Sequence, residues 1–118
     1  MATMPQNIKE PQIFLPVTLT DAATIALDAS LGSYYTVTLG GNRTLGAPSN
    51  ARDGMQLRLD VVQDGTGSRT LAYATAYKFG STYASPTLST AAGAVDVLWF
   101  SYNAGASKWR CTNIAQGF

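Results

Sequence analysis

The sequence predicts an all-β domain: a jelly-roll-like antiparallel β-sandwich with an extended N-terminal arm. Three observations carry this expectation. Runs of strand length alternate apolar and polar residues, as in YYTVTL and MQLRLDVV. Clusters of Gly, Pro, Asn and Asp separate them every ~8–12 residues, giving about eight short strands. No segment of helical length shows the helical period.

Residues 1–12, MATMPQNIKEPQ, hold prolines and no periodicity and read as the arm. Fully stretched, such an arm reaches ~40 Å at ~3.3 Å per residue. A single domain spans residues 13–118. Residues 13–19, IFLPVTL, are apolar and rich in β-formers, and Pro16 has no N–H to donate, which puts this strand at an edge or a bulge. Thr20-Asp21 begins a turn, ATIAL (23–27) is a short strand or one helical turn, and DASLG (28–32) turns again. Tyr34 to Leu39 places Tyr35, Val37 and Leu39 on one face and Tyr34, Thr36 and Thr38 on the other. Gly40-Gly41-Asn42 predicts a hairpin turn, with Arg43 to Leu45 returning. Residues 47–54 are loop.

Met55 to Val62 is the cleanest alternation, with Met55, Leu57, Leu59 and Val61 inward. QDGTGS (63–68) then forms a hairpin loop and Arg69 to Tyr73 a return strand. Residues 74–92 mix Tyr77, Phe79 and Tyr83 with Gly, Ser, Pro and Thr, a surface excursion. Val95 to Tyr102 is apolar on both faces apart from Asp96 and Ser101 and reads as a central strand. NAGAS (103–107) turns it into Lys108 to Ile114, with AQGF as a tail.

Composition narrows the chemistry. The 118 residues carry 8 Lys/Arg, 7 Asp/Glu, no His and one Cys, for a net charge of +1. The lone thiol of Cys111 cannot close an intrachain disulfide and reads as a packed small hydrophobe. Without His, the Ser-His-Asp and Cys-His mechanisms and His-type zinc sites are excluded for the isolated chain. The neutral balance argues against nucleic acid, and no apolar run approaches a membrane span. Charged residues are only 13%, and small residues dominate, which suits faces that meet other protein.

The carboxylates do not assemble a convincing acid pair. Asp21, Asp28, Asp53 and Asp64 sit in turn contexts, where Asp bonds its own backbone. Asp60 faces outward as a solvated or ion-paired residue. Asp96, beside Trp99, could be a buried acid, but pairing with Arg58 or Arg110 is the expectation. Asp64-Gly65-Thr66 lacks the spacing of a calcium loop, and the glycine pairs lack that of a phosphate loop. The expectation is therefore of no enzyme, no cofactor and no metal. Trp99 and Trp109, on the two strands of one hairpin, are expected in the core. Tyr77, Phe79 and Tyr83, in the polar excursion, are the candidates for contact with a partner or a glycan.

About two-thirds of the chain then resembles a known pattern. Gly40 to Leu45 (GGNRTL), Pro48 to Gly54 (PSNARDG), Gln63 to Leu71 (QDGTGSRTL), Tyr77 to Phe79 (YKF) and Val95 to Trp109 (VDVLWFSYNAGASKW) are similar to a β-domain of tailed-bacteriophage virion proteins. That domain occurs in tail fibres and in small head proteins. A lone domain with an arm looks most like a capsid decoration (cement) protein. The resemblance implies a homotrimer on the outer surface of the head, assembled in the host cytoplasm, that contacts the major capsid protein and bridges neighbouring capsomers. Its capsid contacts would fall on the arm and the first strand, at Met4, Pro5, Ile8, Pro11, Ile13 and Phe14. The alternative is a tail-fibre tip that recognises a host surface glycan.

Overall fold

The first six strands do not fold back on themselves; they alternate between two sheets. In the computed structural model, which describes residues 15–81 and 84–118, β1 (Val17–Thr18), β3 (Tyr34–Leu39) and β5 (Gln56–Gln63) join one sheet. β2 (Thr24–Ile25), β4 (Arg43–Leu45) and β6 (Leu71–Tyr73) form the other. Within each sheet these strands are parallel: Val17 pairs with Tyr35 and Tyr35 with Leu59, while Thr24 pairs with Thr44 and Thr44 with Ala72. The chain thus winds three times around a shared core before β7 (Tyr77–Lys78), β8 (Val95–Asn103) and β9 (Lys108–Ala115) complete the larger sheet in the order β1-β3-β5-β8-β9-β7.

The all-β class and the two-sheet arrangement agree with the sequence. The pairing differs. Only β5–β8 and β8–β9 are antiparallel, and the predicted returns at Arg43–Leu45 and Arg69–Tyr73 cross to the second sheet instead. The physical reason lies in the corners. A two-residue hairpin of the favoured kind needs positive φ, yet neither Gly40, Gly41 nor Asn42 adopts it. The corner is held across windings. Arg43 donates to both Asp21 oxygens (2.8 and 3.0 Å), the Gly40 N–H donates to Asp21, and the Thr70 N–H donates to Asn42 at 3.0 Å. The opposite corner stacks in the same way, with the Ser49 N–H on the Leu27 carbonyl and Asn50 on the Asp28 carboxylate.

The core lies between the sheets. Tyr35, Val37, Leu39, Leu57, Leu59 and Val61 project from the large sheet, and Ile25, Leu45 and Leu71 from the small one, all buried. The inward residues of β3 and β5 are those the alternation predicts. Of residues 23–27, Thr24–Ile25 form a strand rather than a helical turn, and residues 29–31 form one 3-10 turn capped by the Asp28 carboxylate. Gln63 is buried at the end of β5. Its amide donates to the Arg69 and Ser89 carbonyls and accepts from the Arg69 N–H, fastening loop 64–69 to the segment before β8. The hairpin loop 103–107 connects β8 to β9 as expected. The Met4, Pro5, Ile8, Pro11, Ile13 and Phe14 candidates and Tyr83 lie outside the described residues.

Gly67 has φ 74°, and a Cβ there would sit 2.5 Å from the Thr90 carbonyl oxygen and 2.9 Å from the Ala92 nitrogen. Gly54, at φ 82°, has open space around it. Gly67→Ala should therefore cost clearly more than Gly54→Ala, about 2–4 against about 1 kcal/mol, because backbone displacement adds to the left-handed penalty. Paired urea denaturation curves read the difference, and equal costs would refute the close approach.

Candidate functional site

Alternation that buries one face of the large sheet leaves the other face to solvent. Three rows of register partners cross it. One runs Tyr34, Arg58, Trp99, Asn113; the next Thr36, Asp60, Val97, Ala115; and one on the other side of the first runs Gln56, Ser101, Arg110, Lys78. A β-bulge between Trp99 and Phe100 leaves Thr112 as the extra residue of β9, so Arg110 and Asn113 both reach this face despite their odd spacing.

At its centre is a closed polar cluster. The Arg58 guanidinium lies 4.2 Å over the Tyr34 ring and donates to Asp60 at 2.9 and 3.1 Å, while the Tyr34 hydroxyl donates to Asp60 at 2.9 Å. The hydrogen bond to Asp60 raises the pKa of Tyr34, and the same carboxylate raises that of Arg58. The cluster is self-neutralising. Around it are buried Val97 and half-buried Val62, Val95, Trp99 and Ala115. The result is a platform that carries an indole and, under the Arg58 guanidinium, a phenol ring.

The structure redistributes the sequence candidates. Trp109 is in the core, but Trp99 is half-buried on the outer face. β8 alternates so that Asp96, Leu98 and Phe100 turn inward and Val97 and Trp99 outward. Tyr77 is not a surface residue. It is 4% exposed, its hydroxyl donates to the Gly46 carbonyl at 2.8 Å, and its ring meets Phe100 edge-on. Burial pushes its hydroxyl far above the ordinary range. The reason is β7, which adds Tyr77 to the edge of the large sheet opposite Trp109. Phe79 is half-buried, edge-on to Tyr73 and Phe100. With Lys78, Gly80, Ser81, Arg110, Cys111 and Thr112 it lines an open groove of about 430 Å³.

Asp96 pairs with neither Arg58 nor Arg110. It faces inward and accepts from the Ser89 N–H (2.7 Å), the Gln116 amide (3.0 Å) and the Gly117 N–H (2.9 Å). Burial alone would raise its pKa, but these donors outweigh it and hold the carboxyl below its ordinary value. Asp60 is ion-paired, as expected, and Cys111 packs half-buried against the core. Among the described residues no group of three or more His, Cys, Asp or Glu gathers to hold a metal. A second open groove, about 610 Å³, lies near the β1 edge between Leu15, Tyr34, Met55 and Leu57.

Sequence reasoning missed Tyr34, Arg58 and Trp99 as a surface group. For Tyr34 and Arg58 the signal was available in the phase of the alternation, which sets them opposite the core; Val95 to Tyr102 is apolar on both faces and gave none for Trp99.

A family model described as "Putative phage tail fibre C-terminal domain" matches residues 17–106, from β1 through β8. No curated protein and no solved structure matches the chain.

Proposed function

The chain belongs to the phage tail fibre C-terminal domain family, and from that premise we propose that it is a fibre-tip domain that recognises a glycan on the host surface. As a family member it is a structural component of a phage virion. The observation that supports the finer reading is the outer face of the large sheet. Its platform combines an aromatic face for stacking on a sugar ring, Trp99, with polar groups at fixed positions, the Tyr34–Arg58–Asp60 cluster. The ion pair is already satisfied within the face, so it orients a ligand without adding a net charge. Near-zero net charge also lets copies of the chain approach one another, and homotrimer formation belongs to the proposal.

The family match favours this reading over capsid decoration. The two differ in copy number and place. A fibre tip occurs in few copies on tails, and a decoration protein in many copies on heads. Trp99→Ala tests the site. The side chain is half-buried on the surface, so the fold should survive, while adsorption of the purified protein to host cells should weaken about tenfold or more, equivalent to about 1.4 kcal/mol or more. Binding of the variant at wild-type strength would remove the platform from the reading.

A further inference from the structure

Cations are gathered at one end of the same outer face. Lys78 on β7 and Arg110 on β9 are register partners on adjacent parallel strands, so their side chains leave the sheet side by side, and both are exposed. Lys108 precedes Arg110 by two positions, on the same face of β9. The arginines 43, 58 and 69 are each bound by an aspartate at 2.8–3.0 Å. Lys78, Lys108 and Arg110 have no carboxylate in ion-pair contact among the described residues. Lys108 donates instead to the Thr75 carbonyl. Like charges directly opposite on neighbouring strands are destabilising, and in a chain of net charge +1 this concentration is local.

The pair stands over the groove formed where β7 stops at Lys78 and β9 runs on. Half-buried Phe79 and Cys111 give it apolar lining, and Ser81 and Thr112 supply hydroxyls. Gly80 leaves its side open, with nothing within 4 Å of a would-be Cβ. Thr112 also donates to the Trp99 carbonyl at 3.4 Å, so the groove adjoins the platform. Neighbouring strands are ~4.8 Å apart, a span that one anionic group can bridge while accepting from both cations. We propose that this groove binds an anionic saccharide, its carboxylate or phosphate between Lys78 and Arg110 and a sugar ring against Phe79. The proposal rests on the glycan reading above and specifies its ligand.

The test uses the full chain and the double variant Lys78→Glu/Arg110→Glu, titrated calorimetrically with oligogalacturonate, a phosphorylated mannan oligosaccharide and a neutral galactose oligomer. At least one anionic oligomer should bind, telling carboxylate from phosphate. The neutral oligomer should bind about tenfold more weakly or worse, and raising NaCl from ~0.05 to ~0.5 M should weaken the anionic complex. The double variant should lose about thirtyfold or more in affinity with an unchanged melting temperature, since both residues are exposed. Failure of both anionic oligomers to bind overturns the inference, as does equal binding of the neutral one. Equal binding of dextran sulfate and duplex DNA would also overturn it, by revealing a general polyanion patch. Adsorption to host cells separates the two levels. If the wild type adsorbs and the double variant adsorbs equally, the groove assignment falls and the fibre-tip reading stands. If the wild type fails to adsorb, the fibre-tip reading itself falls.

Discussion

Trp109→Ala will lower the free energy of unfolding by about 3–5 kcal/mol. The side chain is 1% exposed and stands where β7, β8 and β9 meet, opposite Tyr77 on one side and Tyr102 on the other. Its ring lies 4.9 Å from that of Tyr102. The main-chain N–H of Trp109 donates to the Ala76 carbonyl at 2.7 Å, so the main chain ties β9 to the β7 edge while the ring packs on Tyr102 of β8. An alanine leaves a cavity that a sheet paired on both sides cannot collapse to fill. Domains of this kind are stable by only ~5–15 kcal/mol, so the loss is a large share of the whole. Phe118→Ala, at a residue 72% exposed, is the control and should cost less than about 0.5 kcal/mol. Urea midpoints measure both, and a Trp109 cost below about 1.5 kcal/mol would contradict the packing.

Asp96→Ala should cost about 2–4 kcal/mol, because three donors lose their charged acceptor inside the protein. The effect also carries a pH signature. The carboxyl is held below its ordinary value in the folded state, so the folded protein binds this proton more weakly than the unfolded chain does. Its contribution is therefore fully present above the ordinary carboxylate range, about pH 4, and is lost as pH falls through the depressed folded value. Between about pH 6 and pH 2 the wild type should lose stability more steeply than Asp96→Asn, which carries no titrating group at this position. Identical slopes would mean that the hydrogen bonds do not favour the charged form. Asp21, Asp28 and Asp64 are held low as well by their own partners, so some slope should survive in the variant.

The alternation of Tyr34–Leu39 and Met55–Val62 was legible in the sequence because one face is buried and the other is not, and period 2 leaves no freedom in the assignment. The Asn103–Ser107 hairpin was legible for the same local reason. The winding was not. Gly40-Gly41-Asn42 has the composition of a hairpin, and what makes it a corner is the grip of Arg43 on Asp21, 22 residues earlier. The partners of Asp96 include Gln116 and Gly117, twenty or so residues later, so a search among strand neighbours pointed to arginine instead. Tyr77 was misplaced because β7 is only two residues long and pairs in parallel with a strand far along the chain. The surface group of Tyr34, Arg58 and Trp99 needed the register of three strands: the outward phase of Tyr34 and Arg58 was written in their own runs, but β8 is apolar on both faces and hid that of Trp99.

The pairing of residues 117 and 118 with β8 has a consequence for folding. Val95 exchanges both main-chain hydrogen bonds with Phe118, and the Gly117 N–H completes the set of donors around Asp96. The parallel windings can stack in the order in which they emerge from the ribosome. Long-range parallel pairing is nonetheless slow, and the charged interior of β8 stays without all its donors until residues 116–118 are free to dock. Closure of the domain therefore waits on residues 116–118, which act as its latch.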